Sequence, residues 1–418
     1  MARPSSSSSA VASELRIDEK LTLIPGLPDD VAAKILSCVP YSHIDRLKLT
    51  CKSWRHFFSS KTLIRLRHHH RNLSSLLCIF PQDPSIAPPY IFDPENLAWR
   101  ALPPMPCSPY VYGLCNFTSL AVGSNLYVLG GSLFDTRSFP LERPCSSSAG
   151  FRFDFRTFKW HRLAPMLYPR GSFACAAIAS SDQIIVAGGG SRHNLFCAAG
   201  SRMNAVERYD IERDEWVALD GLPNFRAGCV GFLVGEGEER EFWVMGGYGE
   251  SRTLSGVFPV DEYYKDAVVM ELKNNGAGKW REVGDMWAEG ERARPGKIVV
   301  MEDEESGCRP AIFMLDGKEI LRYDIASNHW QKESNVPRKA PCNSSFGFVV
   351  LGGELYVMSL RHGVDSTETR RSRQHKRTGT LFVQIYHPRK KTWRSLLAKP
   401  PFHCPLDFKT AVLCTVHL

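Results

Sequence analysis

The sequence predicts a mainly β fold, six small four-stranded antiparallel sheets repeated radially, behind a short helical segment. Three observations carry that reading. The first is an ordered set of short runs between Ser119 and Met166: apolar Ser119–Val122, a turn at Gly123-Ser-Asn125, Leu126–Leu129 into Gly130-Gly131, then Gly150–Asp154, a turn, and Lys159–Leu163 with Trp160. Runs of four to six residues bounded by Gly, Pro, Asn or Asp read as strands of one antiparallel sheet. The second is recurrence of this order, as Phe173–Ile178, Ile184–Gly189, Ala205–Asp210 and Glu215–Leu219, and again as Cys229–Leu233, Phe242–Gly247, Ala267–Glu271 and Lys279–Val283. The third is a ruler of fourth-strand tryptophans, Trp99, Trp160, Trp216, Trp280, Trp330 and Trp393, spaced by 61, 56, 64, 50 and 63 residues. Such a sheet cannot bury both faces alone, so a period near fifty residues belongs to sheets stacked around an axis.

Each mark has a physical sense. A glycine pair at a strand end permits positive φ and close backbone approach, and a tryptophan at fixed phase wedges one sheet against the next. The pair is missing in the last two units, where Phe313–Gly317 and Leu355–Ser359 stand in its place, so these units rest on Arg322-Tyr-Asp324 with Trp330 and Gln384-Ile-Tyr386 with Trp393. A β-sandwich with tryptophans placed by chance is the alternative, and it does not account for the constant order of marks. These residues resemble the kelch repeat, and that resemblance implies a six-bladed kelch-type β-propeller.

With 418 residues, of which 43% are hydrophobic, the chain can bury a large core and has room for two or three domains. Its 13 cysteines contain no Cys-x-x-Cys pair, and there is no apolar span of about 18 residues or more, which points to a reducing compartment, cytoplasm or nucleus, and away from the membrane. The formal charge of +8 is diluted over a long chain.

Residues 1–20, with serines at 5 to 9, have no apolar periodicity and read as disordered. Next, Asp29 after Pro28 is placed to cap a helix carrying Val31, Ile35, Leu36 and Val39 before Pro40; Ser42-His-Ile-Asp45 has the form of a capping box for a second; and a third runs through Cys51, Trp54, Phe57 and Phe58. Three short helices opening on Leu27-Pro28 and containing Cys51-Lys-Ser-Trp54 resemble the F-box, over residues 21–66. By that resemblance Leu27, Pro28, Asp29, Ile35, Leu36, Leu47 and Trp54 face a Skp-type adaptor of cullin-RING ubiquitin ligases. A segment this short supports only a small core, so leftover apolar residues need a partner.

Residues 67–74 read as a linker. The histidines of Arg65–Arg71 point in different directions on a helix and have no carboxylate or thiolate near them in sequence, so a solvated basic edge is preferred to a metal site. The propeller, 75–418, opens on an incomplete unit: Leu76–Phe80, Pro89–Asp93 and Ala98–Leu102 match strands two to four. Strand one is expected from the other end of the chain, at 409–417, closing the ring.

Glu236–Glu241 and Glu302–Glu305 read as solvated hairpin tips, and the basic run Arg370–Arg377 as a solvated loop or nuclear-import signal, since no aromatics are interleaved for base stacking. That argues against nucleic acid. No Gly-x-Ser-x-Gly, His-Glu-x-x-His or phosphate loop occurs, and Gly188-Gly-Gly190 is followed by no helix, so neither catalysis nor a cofactor or metal is expected.

The two modules together resemble the plant-type F-box/kelch-repeat family, which implies a target receptor in an SCF-type ubiquitin ligase; the alternative is a propeller scaffold acting outside a ligase. Within the propeller, Arg170, Arg226 and Arg294 stand just before strand one of their units, with Tyr112 at the same phase. Equal phase in a radial array means equal height and radius, so these side chains either form a ring for an acidic or phosphorylated target segment or pair with carboxylates of their own or neighbouring sheets.

Overall fold

In a computed structural model all six ruler tryptophans lie on fourth strands of consecutive four-stranded sheets. The structure describes residues 22–70, 73–81, 88–107, 112–135, 145–190, 201–237, 240–254, 258–273, 276–287, 296–302, 309–337, 345–362, 379–401, 406–408 and 410–418. The expected disorder of 1–20 and the run 370–377 lie outside these residues. The chain divides into two compact units, one reaching Ser74 and including Leu418, the other Ser75–His417.

The second unit is a six-bladed propeller. Blades 2 to 6 are meanders, each strand pairing with its neighbour in the blade, and blade 1 takes its first strand, Val412–His417, from the C-terminal end of the propeller. That strand pairs with Ser75–Phe80 over six residues, from Ser75↔His417 to Phe80↔Val412. Cores lie between blades: Leu77, Ile79 and Phe92 of blade 1 pack with Tyr356, Met358 and Val383 of blade 6, and Tyr127 and Leu129 of blade 2 with Ile184 and Val186 of blade 3.

The tryptophans act at these junctions. Five of the six rings lie against an aromatic of their own third strand, as Tyr209–Trp216 at 4.8 Å and Tyr386–Trp393 at 5.0 Å, and Trp280 faces Phe242 of its second strand at 6.3 Å. The indole N–H of Trp160 donates to Pro103 O at 2.8 Å, that of Trp216 to Ala164 O at 3.0 Å, and that of Trp280 to Asp220 O at 2.9 Å, each acceptor lying just beyond the last strand of the preceding blade. A single side chain thereby fills its blade and is fixed by its polar end to the one before. Ahead of five of the six tryptophans the chain turns through a left-handed residue, Leu97, Phe158, Asp214, Asn328 or Lys391, and in four of these turns an Asp (Asp93, Asp154, Asp210 or Asp324) accepts from the N–H two residues on.

The missing glycine pairs have a geometric cause. In blade 5 strands two and three meet through a two-residue turn, with Asp316 opposite Glu319 and Gly317 at φ 58°. In blade 6 they continue as a long ladder, from Leu355↔Tyr386 to His362↔Gly379. Neither chain leaves its sheet where the pair would stand. In blade 4 a long insert does leave the sheet, and forms a hairpin of Tyr248–Leu254 and Phe258–Tyr263.

Among its described residues the first unit has four α-helices, α1 Asp29–Ser37, α2 Ile44–Lys48, α3 Lys52–Phe58 and α4 Lys61–His69, and so one more than expected. Helix α4 takes up the end of the expected F-box and the start of the expected linker, because Ser60 caps it and because Leu63 and Arg67 are buried. Two expected caps are not formed. Asp29 Oδ1 accepts from Leu23 N–H at 3.0 Å instead of capping α1, and Ser42 lies in a 3-10 turn, Tyr41–His43, that replaces the capping box. Among the described residues no helix is long and apolar enough to cross a membrane.

Two predictions follow from the closing strand. Deleting residues 409–418 should expose the edge of Ser75–Phe80 and give an aggregating product without a cooperative melt, as size-exclusion chromatography and calorimetry would record; a soluble truncation that melts cooperatively would contradict the shared blade. Register sets Cys78 opposite Cys414, both buried, and burial pushes the Cys414 thiol up to about 12. Iodoacetamide at neutral pH should therefore label exposed Cys38 and Cys51 in the native chain, and Cys78 and Cys414 only after unfolding, by peptide mass mapping.

Candidate functional site

Helix α1 has two apolar faces. Ala32, Ala33 and Leu36 are buried, together with Ile44, Phe57, Phe58 and Leu63 of the other helices, and form the small core of the unit. On the other side Val31 and Ile35 are 38% and 49% exposed, one turn apart, and Leu27, outside the helix and just before its extended N-cap Pro28, is 38% exposed. Leu49, 77% exposed, is another large apolar residue of this unit turned to solvent.

The residues expected to face the adaptor therefore divide. Leu27, Pro28 and Ile35 are exposed, Leu36 is core, and Leu47 and Trp54 are half-buried, with Trp54 Nε1 donating to Leu23 O at 2.6 Å. Asp29 holds the backbone of Leu23. Val31 and Leu49 join the exposed set; the four-residue interval from Val31 to Ile35 was a signal for the first.

In the propeller, the arginine expectations meet a different geometry. Arg170 and Arg226 are fully buried. Arg170 donates from Nη1 to Gly188 O at 3.0 Å and Ala205 O at 2.7 Å, and from Nη2 to the Glu207 carboxylate; Glu207 also accepts from Leu167 N–H at 2.7 Å and Tyr168 N–H at 3.3 Å. Arg226 donates to Gly246 O at 3.3 Å and to both oxygens of Asp266, at 3.2 and 3.1 Å, with its guanidinium 4.2 Å from the Tyr264 ring centroid. Burial pulls Arg170 below its ordinary value, and Glu207 opposes that pull. Both guanidiniums are committed inside the wall, so the ring of free cations is corrected to the pairing alternative at these two positions. Tyr112 sits on Tyr112–Cys115, paired with Ser132–Asp135 in a small extra sheet, and Arg294 lies outside the described residues.

The same arginines explain the glycine pairs. Gly131 N–H donates to Arg170 O at 2.7 Å, and a Cβ on Gly130 would come within 2.3 Å of that oxygen; Gly189 N–H donates to Arg226 O at 2.9 Å, and a Cβ on Gly188 would lie 2.4 Å from it. Each pair grips the backbone of the next blade's arginine, whose side chain then holds the next pair. This staple runs from blade 2 through blade 3 to blade 4. On the segments that carry the arginines, Leu167, Tyr168 and Phe225 are about half exposed.

Comparison with known proteins agrees with both units. The F-box domain model matches residues 24–66 and the kelch motif model residues 113–167. The chain is 59% identical to the F-box/kelch-repeat protein OR23 of Arabidopsis thaliana, over 97% of its own length and 94% of that protein. This chain belongs to the F-box/kelch-repeat family. It is also 25% identical to the Arabidopsis F-box/kelch-repeat protein At1g67480, over 81% of its length and 79% of that protein, and 29% identical to the F-box/kelch-repeat protein SKIP30 over 51% and 58%. An F-box implies a Skp-type adaptor as partner, and F-box/kelch proteins are in general non-catalytic adaptors.

Breaking a buried ion pair strands a charge, at a cost of about 3–5 kcal/mol. Glu207→Ala in this F-box/kelch chain should lower the unfolding free energy of the propeller by about that amount, and Arg170→Met with Glu207→Leu should recover most of it, read from urea midpoints followed by tryptophan fluorescence. An unchanged midpoint for Glu207→Ala would remove the staple role.

Proposed function

We propose that the chain is the target-receptor subunit of an SCF-type ubiquitin ligase. The helical unit holds the Skp-type adaptor and through it a cullin, the propeller holds a protein target, and the transfer chemistry belongs to other subunits. The observation that carries this reading is the exposed apolar set Val31 and Ile35 on α1, with Leu27 just before it, on a helix whose opposite face already completes the core of its unit. An apolar set in water without a structural task is the signature of a protein partner, and in such interfaces a few anchors supply most of the affinity. A ligase subunit of this kind works in the cytoplasm or nucleus.

For the target, the buried arginines leave the exposed residues between blades as the available contacts. Loops on a rigid scaffold are where recognition resides, and Leu167, Tyr168 and Phe225 offer it apolar and aromatic area.

The test is co-purification of the tagged chain with a Skp-type adaptor and cullin. Leu27→Ala with Pro28→Ala should lose both proteins, and Ile35→Asp should do the same, each with an unchanged propeller melt. Adaptor recovered at the wild-type level with either variant would refute the assignment, and adaptor recovered without any cullin would favour a scaffold acting outside a ligase.

A further inference from the structure

One largely described stretch of the chain is strongly basic. Between Arg46 and Gln82 there are eight Lys and Arg residues and no Asp or Glu, so this stretch accounts for the whole formal charge of +8 and the remaining residues balance. Four histidines, His56, His68, His69 and His70, lie in it as well. The structure turns part of it into two helices. On α4, Lys61, Arg65, His68 and His69 are exposed, and at 100° per residue they occupy one face about 100° wide. On α3, Lys52, Arg55 and His56 are exposed and share a face in the same way.

Some surface cations of the propeller are matched within the chain, Arg281 to Glu241, Lys332 to Glu319, Lys391 to Glu333 and Arg394 to Glu354, while others, such as Lys159 and Arg162, are exposed without an ion pair. Among the described residues none of Lys52, Lys61, Arg65 and His68 is paired with a carboxylate. Arg67, the one inward cation of α4, is excluded from the face because it is buried and donates to Val39 O.

We propose that the exposed basic face of α3 and α4 is a docking surface for a carboxylate-rich segment of a partner protein, separate from the exposed apolar set of α1. Three features select this partner class. Helix α4 has nine residues and is about 13 Å long, which matches about four residues of extended chain, so a short acidic run can lie along it. Within α3 and α4 no large apolar side chain is exposed, and Leu49, before α3, is a single exposed apolar residue, less than the apolar face that insertion into a lipid surface needs. Trp54, Phe57 and Phe58 of α3 are buried or half-buried, with Trp54 Nε1 held by Leu23 O, so the face offers no large ring for base stacking, only imidazoles, and a face of this length spans few phosphates of a duplex. Arginine offers a planar fork for a carboxylate, and lysine and histidine add point charges around it.

The experiment is fluorescence anisotropy of a labelled ten-residue peptide of alternating Asp and Glu with the full chain, at about 50 mM and about 300 mM NaCl, where screening differs strongly. A 20-base-pair duplex and vesicles containing about one-fifth phosphatidylserine serve as competing probes. The expected result is peptide binding that weakens with salt and falls by at least about tenfold in Lys61→Glu/Arg65→Glu, and less in Lys61→Gln/Arg65→Gln, with unchanged melting. Leu27→Ala/Pro28→Ala should bind the peptide as the wild type does, which separates this surface from adaptor capture. The run 370–377 is intact in every variant, so a contribution from it is common to all. Peptide binding that is indifferent to both charge variants would overturn the proposal. So would duplex or vesicle binding that is tighter than peptide binding and abolished by the same substitutions.

Discussion

Everything in the propeller depends on closing the ring. A four-stranded sheet has two faces to bury and two edges to satisfy, and six such sheets bury their faces only against one another. The pairing of Val412–His417 with Ser75–Phe80 ties the last segment of the array to the first and keeps blade 1 at four strands. Without it the cluster shared by blades 1 and 6, with Leu77, Ile79, Leu360 and Leu381, would lose one wall. The junctions between blades are then specified by polar contacts set in apolar surroundings, the indole N–H groups and the buried arginines. Apolar packing alone would tolerate small rotations of one blade on another; directed hydrogen bonds to carbonyls do not.

That division of labour changes the meaning of the arginines. A guanidinium that is fully buried, with a carboxylate and carbonyls around it, is stabilising only while all partners remain, and it is unavailable to a ligand. Close backbone approach at Gly130 and Gly188, both at positive φ, lets the arginine carbonyl reach the pair beneath it. The result is a run of three blades locked by one repeated device, and three without it, two of which join strands two and three by a tight turn or a long ladder. Recognition on such a scaffold falls to what the staples leave uncovered.

Much of this was legible in the residues. Strand order, the place of each tryptophan, six blades and the shared blade follow from a period that few other folds produce. The role of Arg170 was not, because Glu207 stands 37 residues away and nothing local marks the two as partners. The same holds for Arg226 and Asp266, 40 apart. Phase placed the arginines at equal positions in their blades, but phase says nothing about whether a side chain points inward. In the helical unit the pair Val31 and Ile35 was visible as spacing, whereas α4 was hidden in a stretch dominated by Arg and His, whose helical character rests on Leu63 and Arg67 being drawn inside. The capping box failed because its Ser lies in a 3-10 turn that enters α2 directly.

On the reading proposed above, the helical unit takes the adaptor and the propeller a protein target. Hydrogen–deuterium exchange of the full chain with and without a Skp-type adaptor tests that claim most directly, since it reads every segment at once. The account predicts slowed exchange confined to residues 27–49 and no change in 75–417. Adaptor-dependent protection in the propeller with none in 27–49 would contradict it.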